Sequence, residues 1–228
     1  MAEDPSAKED VDVASGPPKI KVTAVGDSGV GKTCLLMTFA SNEFPADGRI
    51  PSLYESGTIK AGRSDAYEVP VTIEVCDTTY TLGLTDTIGE DEYRKLRELF
   101  TSGTDVFLVC FSVTDPETLE NVKRNWLSEI RILSPKASYI LVGTKTDMRE
   151  NTDVLNQLKE KNKRPISSQE GIKFATANGA KTYVECSAMN KDGLQHVFEQ
   201  CVMVATNRPP IKLKEKCKEK NNQQCAIS

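Results

Sequence analysis

The run Gly26-Asp27-Ser28-Gly29-Val30-Gly31-Lys32-Thr33 fits the pattern G-x-x-x-x-G-K-[ST] in full. Those residue types suit one chemistry, the grip of a phosphate chain. Gly26 and Gly31 permit a tight turn and a close backbone approach, so that N–H groups and a helix N-terminus face the anion. Lys32 is placed to reach β- and γ-phosphates, and the Thr33 hydroxyl to ligate Mg²⁺. Further along, Thr144-Lys145-Thr146-Asp147 offers a carboxylate that can accept from two parallel donors. Guanine presents such a pair in N1–H and its exocyclic amine, and adenine does not. The Lys145 stem is expected over the base. Asp86-Thr87-Ile88-Gly89 supplies a carboxylate able to hold Mg²⁺ through water and a Gly89 N–H for a γ-phosphate. Glu185-Cys186-Ser187-Ala188 can present backbone N–H groups to the guanine carbonyl oxygen.

These residues need strands and helices to hold them. Ile20 to Val25 alternates like a short strand, and Cys34 to Phe39 continues past the glycine-rich loop as an apolar helix. Phe44 to Ser52 is a turn-rich loop, and Glu55 to Tyr67 stays polar without periodicity. Val69 to Val75 and Tyr80 to Leu84 read as a hairpin around Cys76-Asp77-Thr78-Thr79, with Pro70 placing its first strand at a sheet edge. Asp105 to Ser112 and Tyr139 to Gly143 are apolar enough to be strands buried on both faces. Pro116 to Leu133 reads as one helix with Pro116 in its first turn. Ser167 to Asn178 is a helix opened by the capping box Ser167-Ser168-Gln169-Glu170 and closed by Gly179. Lys181 to Glu185 is the last strand, and Leu194 to Asn207 the last helix. The alternation predicts an α/β fold: a mostly parallel six-stranded sheet with one antiparallel edge strand, helices on both faces, and ligands at the strands' C-terminal ends.

Composition narrows the setting. The chain has 228 residues, a formal net charge of -4 and seven cysteines. The cysteines are scattered without C-x-x-C spacing, which fits a reducing compartment and argues against a disulfide framework or a zinc site. Residues 1–18 are polar and acidic, end in Gly16-Pro17-Pro18, and read as a disordered arm with no signal-peptide core. The longest apolar run, Val106 to Phe111, is far too short to span a bilayer. Residues 209–228 form a basic tail carrying Lys212, Lys214, Lys216, Lys218 and Lys220, opposed by Glu215 and Glu219. A basic tail on an acidic body points to an anionic membrane surface rather than nucleic acid. The tail ends in Cys225-Ala226-Ile227-Ser228, a C-a-a-X prenylation box whose final serine favours farnesyl, with Cys217 a candidate for palmitoylation. His196 and Trp126 are read as helix packing residues.

The run from Ile20 to about Asn207 resembles the Rho family of Ras-superfamily small GTPases, on the phosphate loop, on Thr144-Lys145-Thr146-Asp147 and on Glu185-Cys186-Ser187-Ala188. Residues 19–208 would be the G domain, and Glu150 to Pro165 falls where Rho proteins carry a charged helical insert. The resemblance implies nucleotide contacts from Gly26, Ser28, Gly29, Val30, Gly31, Lys32, Thr33, Cys34, Phe44, Ser52, Asp86, Gly89, Thr144, Lys145, Asp147, Ser187 and Ala188. Phe44 would pack on the guanine, Thr33 and Ser52 would reach Mg²⁺ directly and Asp86 through water, and Lys32, Gly89 and Glu90 would carry hydrolysis. It further implies GTP and GDP as ligands, with exchange factors, GTPase-activating proteins, dissociation inhibitors and effectors as partners. The setting implied is the cytoplasmic face of a membrane, most naturally the plasma membrane, with a cytosolic pool and a link to actin.

Several positions depart from that pattern. Ser28 stands where most members have glycine, and Glu90 where a glutamine orients the attacking water. Serine at position 52 replaces threonine but keeps the oxygen. Arg49 replaces an aromatic, Thr85 replaces the tryptophan before the Asp86 motif, and the Glu55 to Tyr67 stretch is longer than usual. Two readings of the activity therefore stand: a slowly hydrolysing GTPase switch, or a mainly GTP-bound module that barely hydrolyses. A P-loop kinase or ATPase is disfavoured by the guanine-type base motif.

Overall fold

The computed structural model describes residues 16–45, 68–89 and 94–207. The acidic arm up to residue 15, Arg49, Ser52, the Glu55 to Tyr67 stretch, Glu90, Cys217 and Cys225 lie outside the described residues. In chain order the elements are β1 (Lys19–Val25), α1 (Lys32–Ser41), β2 (Val69–Val75), β3 (Thr78–Thr85), α2 (Arg94–Thr101), β4 (Val106–Ser112) and α3 (Pro116–Asn121). A widened π-helical turn (Val122–Trp126) leads into α4 (Leu127–Leu133), then β5 (Ser138–Thr144) and a 3-10 turn (Thr146–Met148). After these come α5 (Thr152–Glu160), α6 (Ser168–Asn178), β6 (Tyr183–Glu185) and α7 (Leu194–Ala205).

The six strands form one sheet in the order β2-β3-β1-β4-β5-β6. Every pairing is parallel except β2 with β3, and β2 is an edge strand with Pro70 exposed, as a residue lacking an N–H requires. β4 is buried along its whole length because both of its faces are covered. Val106, Leu108 and Cys110 pack with Val22, Leu36, Val197 and Phe198 on the side of α1 and α7. Phe107, Val109 and Phe111 pack with Leu119, Trp126 and Ile130 on the other side. The period-two alternation of a strand thus divides one apolar run between two cores.

Local chemistry explains the ends. Ser167 accepts from Glu170 N–H while the Glu170 carboxylate accepts from Ser167 N–H, and Gly179 closes α6 at φ 85. Asp115 caps α3 by accepting from Glu117 N–H, with Pro116 behind it. Within the 150–165 stretch, Asn151 caps α5 by accepting from Asp153 and Val154 N–H.

The structure corrects the sequence reading in four places. The hairpin turn is two residues, Cys76 and Asp77, at φ 50 and 56, so β3 starts at Thr78. This is the left-handed pair that matches strand twist, made without the usual Asn-Gly. The Pro116 to Leu133 helix is not uniform, because the π turn interrupts it. β6 keeps only Tyr183–Glu185, although Lys181 N–H still donates to Tyr139 O at 2.9 Å. Helix α2 is absent from the sequence reading: Leu96, Leu99 and Phe100 stand at helical spacing over only eight residues, and in the structure Leu99 is exposed while Arg97 is buried.

Candidate functional site

All four motifs emerge at the C-terminal ends of parallel strands. The glycine-rich loop follows β1, the Asp86 run follows β3, the Thr144 run closes β5 and the Glu185 run closes β6. Gly26 sits at φ 144, and a Cβ built there would run into the Cys110 carbonyl, so any side chain would collide with β4. Gly31 at φ 102 caps α1 without a side chain, leaving the helix's first N–H groups at the loop.

Lys32 opens α1 and is 95% buried, its Nζ donating to Gly26 O and Asp27 O at 2.8 Å each. Burial pulls its pKa down, against the opposing pull of Asp86. Thr33 Oγ1 donates to Asp86 Oδ2 at 2.5 Å, and Thr87 N–H donates to Asp86 Oδ1 at 3.0 Å. Burial raises the Asp86 pKa, and the Thr33 hydroxyl, Lys32 and Thr87 N–H oppose it. A hydroxyl and a carboxylate side by side are the hard oxygen donors that Mg²⁺ takes, and the buried ammonium beside them suits a phosphate. The residues present therefore fit both groups. Cys34 follows in α1 with its thiol buried and pushed up by that burial, which leaves its backbone N–H as the group an anion can use.

Gly89 packs straight onto this loop. A Cβ built there would overlap the backbone of Gly26, Asp27 and Ser28, so the start of the segment after β3 lies over the loop. Ser28 itself is exposed beside it.

The Thr144 run is braced against the same loop. Thr144 Oγ1 lies 2.6 Å from the carbonyl of buried Val30 and 2.9 Å from Phe111 O. The Lys145 stem crosses from β5 to the loop, its Nζ donating to Gly29 O at 2.6 Å. Asp147 is exposed, and among the described residues no donor bonds its carboxylate. In the last motif, Cys186 N–H is used by Gly143 O and Ser187 N–H by Asp192 O, both at 2.9 Å. Ala188 follows in the same turn. Phe44 is half-buried just beyond α1, and the Asn42 ahead of it is held by Lys191, whose Nζ donates to Asn42 O at 2.6 Å. Ser52 and Glu90 are outside the described residues.

A family model described as the Ras family matches residues 21–207, which contain every one of these motifs. The chain belongs to the Ras family. Ras-family domains are GTPases that bind GTP, GDP and Mg²⁺ and work as nucleotide switches. The fold is the Ras-type P-loop GTPase fold, a mostly parallel sheet of six strands with one antiparallel strand and helices around it.

Sequence reasoning missed two supports of this Ras-family site. The Glu185 carboxylate accepts from both terminal nitrogens of Arg149 at 2.9 and 2.6 Å, from Tyr183 Oη at 2.7 Å and from Ser168 Oγ at 2.9 Å. It thereby ties the last motif to the turn that carries Asp147. Burial opposes its ionised form, but the bonds from Arg149, Tyr183 and Ser168 outweigh that and hold its pKa below the usual value. Trp126, read from sequence as packing, also donates Nε1–H to Asp27 Oδ1 at 2.7 Å. The i to i+5 spacing of Asn121 and Trp126 was the signal, had a π turn been suspected. His196 keeps a helix role, 3.7 Å from Glu199.

Proposed function

We propose that this Ras-family domain is a Rho-type GTP-binding switch that hydrolyses GTP to GDP slowly and signals from a membrane. The observation that carries the reading is the meeting of buried Lys32, the Thr33–Asp86 pair and exposed Asp147 at one edge of the sheet. The loop N–H groups and Lys32 bind the β- and γ-phosphates, with Gly26, Ser28, Gly29, Val30, Gly31 and Cys34 lining the turn. To do so, Lys32 exchanges its bonds to Gly26 O and Asp27 O for phosphate oxygens. Thr33, with Ser52 and a water held by Asp86, takes Mg²⁺, which when bound neutralises charge on the β- and γ-oxygens. Asp147 accepts from the two guanine donors, Phe44 and the Lys145 stem flank the base, and Ala188 N–H serves its carbonyl because Ser187 N–H is already committed. Gly89 N–H takes the γ-phosphate, and Glu90 positions the attacking water. Loss of the γ-phosphate frees the two segments that carry Ser52 and Gly89.

The tail would anchor the protein through a prenylated Cys225, with the lysines and a palmitoylated Cys217 as the second signal that one lipid chain requires. Exchange factors, GTPase-activating proteins, dissociation inhibitors and effectors, with actin as the output, follow from the Rho reading. Nucleic acid is not a partner in it.

A specific contact favours the second reading, a mainly GTP-bound module. Ser28 puts an exposed side chain where an arginine finger enters, on a loop whose backbone Gly89 already packs against. An arginine finger contributes about 10³–10⁵ in rate. The test is the nucleotide content of the purified protein together with single-turnover hydrolysis of the wild type, Ser28→Gly and Glu90→Gln, with and without a Rho-type activating protein. Bound GDP and a strong activator response support the cycling switch. Bound GTP, with a response regained only in Ser28→Gly, supports the module. Bound ATP or ADP would overturn both.

A further inference from the structure

Asp27 has no phosphate-binding duty for its side chain, yet its carboxylate is held at both oxygens. Asn121 Nδ2 donates to Oδ2 and Trp126 Nε1 to Oδ1, each at 2.7 Å. These donors are five residues apart, a spacing that a regular α-helix turns to different faces. The π turn Val122–Trp126, closed by Leu127 N–H on Val122 O, stacks residues five apart and brings the two together. The widened turn thus builds the clamp on the phosphate loop.

The other side of the same indole carries Arg97. Its guanidinium carbon lies 4.8 Å from the Trp126 ring centre, and it is 99% buried. Nε and one terminal nitrogen fork onto Glu129 at 2.7 and 2.9 Å, while the other terminal nitrogen donates to Ile88 O at 2.9 Å. The Ile88 carbonyl and the Gly89 N–H belong to one peptide unit. In a planar trans peptide these groups point opposite ways, so gripping the carbonyl aims the N–H.

We propose that Trp126 and Arg97 are positioning residues that couple the phosphate loop to the γ-phosphate-sensing peptide Ile88–Gly89. The proposal rests on the guanine-nucleotide reading above. A γ-phosphate that draws in Gly89 N–H rotates a peptide that Arg97 holds, and the strain reaches the indole face and, through Nε1, Asp27. Trp126 is the sole tryptophan of the chain, so the relay reports on itself.

The full chain is loaded with GDP or with a non-hydrolysable GTP analogue in Mg²⁺, and bound nucleotide is quantified. Tryptophan emission is expected to differ between the two states. In Arg97→Lys, which keeps the charge but cannot span Glu129 and Ile88 together, the difference should collapse while nucleotide remains bound. Trp126→Phe keeps an aromatic face but loses the donor to Asp27, and should release a fluorescent GDP analogue about tenfold faster. This second variant leaves Arg97 in place, so it reads the clamp even if Arg97→Lys fails to fold. Nucleotide-bound protein whose emission ignores the γ-phosphate, an undiminished emission difference in folded Arg97→Lys, or unchanged release from Trp126→Phe would overturn the relay alone. A chain that takes up no guanine nucleotide overturns the relay together with the functional reading beneath it.

Discussion

Replacing Glu185 by glutamine should loosen the base-reading side of the site through a loss that can be worked from its bonds. The carboxylate accepts four hydrogen bonds, two of them from the Arg149 fork, and its side chain is 20% exposed against 25% for Arg149. A neutral amide keeps one acceptor oxygen and turns its NH₂ toward one Arg149 nitrogen, so that bond is lost, while the Tyr183 or Ser168 hydroxyl beside it can turn to accept. A hydrogen bond to a charged group is worth about 1.5–3 kcal/mol, and partial exposure takes this one toward the low end, about 2 kcal/mol. For a domain of this size that is about 4–8 °C in Tm. The folded pKa of Glu185 lies below its unfolded value of 4.5. Its contribution is therefore complete above that unfolded value and is lost as pH falls through the folded one. Thermal melts of wild type and Glu185→Gln should differ by this amount at pH 7 and converge in acid. GDP affinity should fall with stability, because the turn bearing Asp147 loses its brace. A double-mutant cycle with Arg149→Lys isolates the pair. A Tm difference under about 1 °C at neutral pH, or one that persists unchanged below the folded pKa, would refute the reasoning.

Three further outcomes follow from the same geometry and tail. Asp147→Asn should lose guanine affinity and gain xanthine affinity, since an amide can donate where the exocyclic amine was; nucleotide titration checks this, and unchanged GDP binding contradicts it. Lys191→Gln should speed GDP release about three- to tenfold, by removing the ammonium that holds Asn42 ahead of Phe44, as read by displacement of a fluorescent GDP analogue. Cys225→Ser should move the protein from membrane to cytosol on cell fractionation, because the tail lysines offer roughly 1 kcal/mol each and two glutamates oppose them.

Much of the fold is legible in the chain because its signals are local. The glycine-rich loop, the doubly buried runs in β4 and β5, and the Ser167–Glu170 capping box each declare themselves within a few residues, and each element stands where expected. Helix α2 escaped because its apolar spacing covers only eight residues, and because exposed Leu99 and buried Arg97 reverse what residue type suggests; Arg97 is tolerated inside by Glu129 and the Ile88 carbonyl, partners 32 and 9 residues away. The hairpin turn escaped because Cys76 and Asp77 adopt positive φ without glycine.

Residue types and spacing by themselves pointed to Lys32 and Thr33 as phosphate and Mg²⁺ groups and to Asp147 as a base reader, and predicted the mostly parallel sheet that carries them. Those are properties of short segments, and short segments carry their own backbone preferences. Tertiary structure alone decided which side chains brace them: Trp126 and Asn121 on Asp27, Arg149 on Glu185, Lys145 on Gly29. The physical reason is that a hydrogen bond between groups 36 to 116 residues apart depends on strand order and helix register, which no local pattern encodes.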